Sequence, residues 1–167
     1  MSETILVVDD EPSNIRIIQS ALEGEYTLVA ATSGEDAVAV ARSASPDIIL
    51  MDVLMPGMNG VEACRRILDE NTGEMEPSVI FVTGLDDPQN ENYALTTGGV
   101  DYITKPIHPE VLRTRVRLHM NNRAYVQYLR AVIDQRTRSL EDARTEASRL
   151  LEQTLVFPKV SREDLED

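Results

Sequence analysis

Cysteine, tryptophan and long apolar runs are what this 167-residue sequence has little of. Its single cysteine, Cys64, cannot form an internal disulfide, which fits a reducing cytoplasm and reads as a small buried helix residue. With no Trp and only two Phe, the core has to be aliphatic. No apolar stretch approaches the ~18 to 20 residues that span a bilayer, and the N-terminus shows no basic region followed by an apolar segment, so neither a membrane nor a secretory route is expected. Positive charge is scarce as well. A net charge of −13 argues against nonspecific nucleic-acid binding, since phosphate backbones attract basic surfaces.

The scarcity is uneven. Residues 1–108 hold 5 Lys and Arg against 19 Asp and Glu, a net of −14, whereas residues 109–167 hold 11 against 10, a net of +1. The acidic part invites a divalent cation wherever several carboxylates converge. Within it, short apolar β-rich runs alternate with amphipathic stretches. The runs are Thr4–Val8, Tyr26–Ala31, Asp47–Met51, Ser78–Val82 and Asp101–Ile103, mostly continuous rather than alternating, as parallel strands covered on both faces require. Helices are expected at about 12–23, 34–44, 59–70 and 88–98, with a last one starting near 109. Their start signals are Pro12, Ser33 before Gly34, Asn59, and Pro88 after Asp87. Five β-α units of this kind predict a doubly wound α/β fold with a five-stranded parallel sheet. In such sheets ligands bind beyond the carboxyl ends of the strands.

The remainder of the chain reads differently. Pro109 suits the first turn of a helix, and no Pro or Gly follows until Pro158, which allows about 47 helical residues, roughly 70 Å long. Positions 126, 129, 133, 136, 140, 143, 147, 150 and 154 keep a strict three–four spacing. Seven are apolar (Val126, Leu129, Ile133, Leu140, Ala143, Ala147 and Leu150), with Arg136 and Thr154 the exceptions. That pattern supports a coiled coil made with a second copy; one amphipathic helix folded back on its own domain is the other reading. Arg136 on the seam weakens the pattern or specifies register. The expected divisions are residues 1–122, a helical 123–156, and a short acidic tail at 157–167.

The chemistry sits at the strand ends. Asp9 and Asp10 follow the first strand and Asp52 the third, so three carboxylates converge at one rim. Their mutual repulsion raises their pKa values unless a cation joins them. An all-oxygen set suits Mg²⁺, with Mn²⁺ as a substitute, and the backbone carbonyl of Leu54 is placed to complete it. Thr83 ends the fourth strand with a hydroxyl donor. Lys105, the only lysine in the first 108 residues, follows the fifth. A carboxylate nucleophile, a metal, a hydroxyl and an ammonium together make a site for phosphoryl transfer to Asp52.

Four ordered motifs, Val8-Asp9-Asp10-Glu11-Pro12, Met51-Asp52-Val53-Leu54-Met55-Pro56-Gly57-Met58-Asn59-Gly60, Val82-Thr83-Gly84 and Lys105-Pro106, closely resemble the bacterial response-regulator receiver family over about residues 3–122. The resemblance implies the flavodoxin-like strand order 2-1-3-4-5 and a phosphoacceptor controlled by a sensor histidine kinase. Asp52 then takes the phosphoryl group, Asp9 and Asp10 hold Mg²⁺, Thr83 and Lys105 bind the phosphoryl oxygens, and the Lys105–Pro106 peptide is cis. Tyr102 matches the family's aromatic switch, which turns inward as Thr83 moves, with Gly84 leaving room. Leu54 and Leu85 match positions flanking the path of hydrolytic water; both are apolar, which implies a long-lived aspartyl phosphate.

The resemblance also implies a phosphoacceptor with at most self-phosphorylation and self-dephosphorylation, not an enzyme acting on other substrates. The region His119–Leu155 resembles linkers that join receivers to output domains. Cyclic-dinucleotide phosphodiesterases and diguanylate cyclases are the nearest such architectures, and a stand-alone receiver docking through its helix is the alternative. A haloacid-dehalogenase-like phosphatase also uses Asp, Mg²⁺, Thr and Lys. That family, however, wants Asp-x-Asp after its first strand, where the acids here are adjacent. His108 and His119, without Cys partners, suggest no zinc site. Gly98-Gly99 reads as the end of the fourth helix and residues 70–76 as a solvated acidic loop.

Overall fold

The structure, a computed structural model, describes residues 3–71, 73, 75–84 and 97–154. The expected helix at 88–98, Leu85 and the 157–167 tail lie outside the described residues, apart from Thr97 and Gly98. In chain order the elements are β1 (Thr4–Val8), α1 (Pro12–Leu22), β2 (Thr27–Ala31), α2 (Gly34–Ala44), β3 (Ile48–Asp52), α3 (Gly60–Asp69), β4 (Ser78–Thr83), β5 (Asp101–Thr104) and α4 (Pro109–Thr154). The chain divides into two units, residues 1–124 and 125–167.

In the first unit all five strands are parallel and run in the order β2-β1-β3-β4-β5. The continuous apolar runs follow from what covers the sheet. Leu6, Val8, Ile49, Met51, Val79 and Phe81 face α2 and α3, where Ala37, Ala41, Val61, Ala63, Cys64 and Ile67 meet them. The intervening Ile5, Val7, Ile48, Leu50, Ile80 and Val82 face the other way, onto Ile15, Ile18 and Leu22 of α1 and Leu112, Val116 and Met120 of α4. Each strand therefore feeds two cores, and each fully buried aliphatic side chain contributes about 1.5–3 kcal/mol relative to exposure. Cys64 is among them, and burial pushes its thiol up to about 11, so it is a packing residue and not a reactive one.

The helix starts follow local chemistry. Pro12 opens α1, where a missing N–H costs nothing. Ser33 accepts from the Asp36 amide and Asn59 from the Glu62 amide, capping α2 and α3. At the start of α4 the backbone carbonyl of His108 accepts from the Leu112 amide. Helix α2 ends at Ser45 in the left-handed region, at φ 45°, a position where glycine is the usual residue. Gly98 lies at φ 110°, a backbone region that favours glycine. Helix α3 crosses the end of β3 so closely that a Cβ on Gly60 would lie 1.9 Å from the Asp52 carbonyl oxygen. Only glycine fits there, which fixes the backbone beside Asp52.

Arg123, the first residue of the expected helical 123–156 span, is 7% exposed and groups with the first unit. Its guanidinium donates to the Glu76 carbonyl and to Asp47 at 3.3 Å, while Asp47 in turn accepts from the Thr4 amide at 2.9 Å. The second unit, by itself, is the helical span up to Thr154, with all nine seam positions exposed.

Candidate functional site

The carboxyl ends of β1, β3, β4 and β5 bring the sequence-predicted residues to one rim. Asp9, Asp10 and Asp52 offer carboxylate oxygens that all lie within 4.8 Å of one another. Asp9 and Asp52 are buried, at 1% and 3% exposure, whereas Asp10 is open to solvent. Asp9 is held from both sides: its Oδ1 accepts from the Glu11 amide at 2.9 Å, and the Asn14 amide nitrogen donates to both its oxygens at 3.0 and 3.1 Å. Asp52 accepts from the Leu54 amide at 3.1 Å. Asn14 is a site residue that the sequence reading missed. Its signal was the position, one turn into α1 and five residues after Asp9.

Lys105 bridges the two buried acids. Its Nζ lies 2.7 Å from Asp52 Oδ2 and 2.9 Å from Asp9 Oδ2. The Lys105–Pro106 peptide is cis, and the Lys105 amide donates to the Thr83 carbonyl at 2.7 Å, tying the end of β5 to the end of β4. Burial opposes the ammonium, but two carboxylates outweigh it and raise the Lys105 pKa. Burial raises the Asp52 pKa, with Lys105 acting against it and Asp9 reinforcing it. The two directions agree once the sharing is considered: one ammonium gains from two carboxylates, whereas Asp52 has half an ammonium and a like-charged neighbour. A hard divalent cation is what this oxygen-only, under-neutralised set accommodates.

Thr83 is buried, and its hydroxyl donates to the Gly84 carbonyl at 3.3 Å, not to the acids. A Cβ on Gly84 would meet nothing within 4 Å among the described residues, so crowding does not demand glycine in this conformation. Tyr102 is half-buried against the cluster formed by the α2–α3 side of the sheet. The Leu54 side chain is 65% exposed at the mouth of the site. Among the described residues, His108 and His119 join no metal-ligating cluster.

Three acids, one lysine and one threonine gathered at the carboxyl strand ends of a parallel sheet in this order mark the class of signalling receiver domains. The chain belongs to the response regulator receiver domain family, which it matches over residues 5–117. It is 43% identical over 118 residues to response regulator PleD of Caulobacter vibrioides, covering 70% of this chain and 26% of PleD. It is 38% identical over 120 residues to a Vibrio cholerae protein named "Probable cyclic di-GMP phosphodiesterase", covering 72% and 27%. Among solved structures, a CheY-like receiver domain protein from Methanospirillum hungatei superposes with a TM-score of 0.69 at 25% identity, covering 75% of this chain and 98% of that one. The chain thus spans about a quarter of the length of the two curated relatives.

Proposed function

We propose that this chain is a phosphorylation-controlled switch in which Asp52 accepts a phosphoryl group from a sensor histidine kinase. The observation that carries this reading is the pairing of Lys105 with both Asp52 and Asp9 at 2.7 and 2.9 Å, at the rim where the three acids meet. A carboxylate oxygen of Asp52 attacks the phosphorus, an O–P bond forms, and the bond to the donor nitrogen breaks, with the electron pair leaving on that nitrogen. Lys105 neutralises a developing phosphoryl oxygen, and Thr83 rotates its hydroxyl from the Gly84 carbonyl to another. Asp9, Asp10, Asp52 and the Leu54 carbonyl are the groups that would hold Mg²⁺ or Mn²⁺, which supplies further charge neutralisation when bound. Tyr102 fills the space that Thr83 leaves. The direct test is labelling with a small phosphodonor: wild type takes up label in Mg²⁺, and Asp52→Asn takes up none. Label retained at the same place in Asp52→Asn overturns the reading.

Exposed and apolar Leu54 cannot orient water, which favours a long-lived phosphate; Leu85, at the sequence position matching the opposite side, is assigned the same role. Phosphate release from Leu54→Asn and Leu85→Glu is expected to be faster than from wild type. Unchanged release in both removes the role. No turnover of small phosphate esters is expected, which separates this reading from a dehalogenase-like phosphatase.

The helical span is proposed to form a parallel coiled-coil dimer through Val126, Leu129, Ile133, Leu140, Ala143, Ala147 and Leu150, all exposed in the single chain. The name of the Vibrio cholerae phosphodiesterase supports an output that acts in cyclic-dinucleotide signalling. A stand-alone receiver docking on a partner through the same helix is the second reading. Sedimentation of wild type, with and without beryllofluoride, tests the dimer; a monomer under every condition overturns it.

A further inference from the structure

Strand β5 is four residues long and carries three different connections. Lys105 leaves its carboxyl end into the acid cluster, Tyr102 packs from its middle, and Asp101 begins it. The Asp101 carboxylate gathers three partners away from the phosphoacceptor site. Its Oδ1 accepts from the Tyr102 amide at 2.8 Å. Its Oδ2 lies 2.9 Å from His119 Nε2 and accepts from Arg115 at 3.1 Å. His119 and Asp101 are both largely shielded from solvent, with side chains 13% exposed. One carboxylate therefore joins the amide of Tyr102 to two successive turns of α4.

The other polar ties of α4 go elsewhere. Arg113 donates to the Ala21 carbonyl of α1 at 3.1 Å, and Arg123 reaches Asp47 and the Glu76 carbonyl. Neither touches the strand that bears Lys105 and Tyr102. Asp101, by contrast, links that strand to α4 through polar side chains. The apolar contacts of Ile103 with Leu112 and its neighbours tolerate small sliding, whereas a carboxylate held by a backbone amide, an arginine and a histidine resists a change in direction.

We propose that Asp101 is a positioning residue that transmits movement of β5 to α4 through His119 and Arg115. The proposal rests on the phosphoacceptor reading above, because that reading supplies the movement at Thr83 and Tyr102. Arg113 and Arg123 act as fixed anchors at the ends of this segment, so displacement of Asp101 between them turns the intervening turns of α4 rather than carrying the helix along. The consequence is a division of labour: loss of an anchor loosens the helix in every state, and loss of Asp101 leaves it docked but unresponsive.

Amide hydrogen exchange followed peptide by peptide on the full chain, with and without beryllofluoride in Mg²⁺, separates these roles. In wild type, beryllofluoride is expected to protect the β3–α3 peptides and to change exchange across residues 113–124. In Asp101→Asn the site peptides respond as in wild type, and the α4 difference falls by about threefold or more. The double variant Arg115→Gln/His119→Gln gives the same result from the helix side, which covers the case in which Asp101→Asn folds poorly. Arg123→Met exchanges faster in both states but keeps the beryllofluoride-dependent difference. A full α4 response in Asp101→Asn and in the double variant overturns the proposal, as does a wild type whose site responds while α4 does not. Absence of any site response in wild type overturns the phosphoacceptor reading itself and takes this inference with it.

Discussion

The two units of this chain satisfy their apolar residues in opposite ways. In residues 1–124 the apolar positions of β1, β3 and β4 are buried between layers, and even the polar Asp9, Asp52, Thr83 and Arg123 are enclosed. In the helix beyond Ala124, Val126, Leu129, Ile133, Leu140 and Leu150 are all open to solvent. The first unit carries its own core, and the second leaves its three–four-spaced apolar residues exposed. The charge is divided similarly: residues 1–124 hold 9 Lys and Arg against 20 Asp and Glu, a net of −11, and residues 125–167 hold 7 against 9, a net of −2.

Substitutions that act on one unit and spare the other break this comparison most directly. Leu50→Ala, in the middle of β3 and fully buried, is expected to destabilise the first unit by about 2–5 kcal/mol, read from urea unfolding. Leu140→Ala, 72% exposed in the single chain, is expected to leave that unfolding transition in place and weaken self-association instead, read by sedimentation. If Leu140→Ala shifts the receiver transition by as much as Leu50→Ala, the two units are not independent.

Gly60→Ala ranks next. A Cβ 1.9 Å from the Asp52 carbonyl oxygen forces backbone apart at the site, with an expected cost of about 1–3 kcal/mol in thermal unfolding and slower labelling of Asp52. Wild-type stability together with wild-type labelling would mean that α3 can shift away freely. Arg136→Leu sharpens the comparison from the other side: it leaves Thr154 as the one polar seam position, so the dimer is expected to tighten while the melting of the first unit stays unchanged. Weaker dimerisation would make Arg136 a partner-binding residue.

The smallest effect expected is one of pH. Burial alone would raise the Asp101 carboxyl, but His119, the Tyr102 amide and Arg115 outweigh it and hold the pKa below its ordinary 3.8. A carboxylate depressed in the folded state adds stability at pH values above its unfolded pKa. That contribution is lost as pH falls below about 4, through the folded value. Asp101→Asn should therefore lower the stability of the first unit slightly at neutral pH and flatten its acid limb, with the two proteins converging once pH falls below the folded value. An unchanged acid limb would remove Asp101 from the groups that set it.

How much of this was legible in the sequence follows from how local each signal is. The strands announce themselves through five apolar runs, and Asn59 and Ser33 cap the helices they precede. The acids, Thr83 and Lys105 were found because a parallel sheet collects its strand ends at one edge, so position along the chain predicts position in space. Nothing similar marks Arg123, whose partners lie 76 and 47 residues away, or the joining of Asp101 to His119, 18 residues apart on different elements. An arginine or histidine in an amphipathic helix looks solvated until the neighbouring loops are placed. Gly60 had a place in a family motif, but the reason for it, backbone against backbone, appears only when α3 is laid on β3.

The two cores served by alternate strand residues have a further consequence for folding. In a sheet with one wet face, sliding a strand by one residue turns its apolar side chains into water, and that cost fixes the pairing. Here a slipped β3 would still find aliphatic neighbours above and below, since Ile48, Ile49, Leu50 and Met51 are interchangeable in character. What it would not find is a place for Asp52, drawn inward and away from Lys105 as an uncompensated charge. The polar strand ends thus act as alignment marks for chain assembly, and the residues proposed to carry the signal also select the correct register against its nearest competitor.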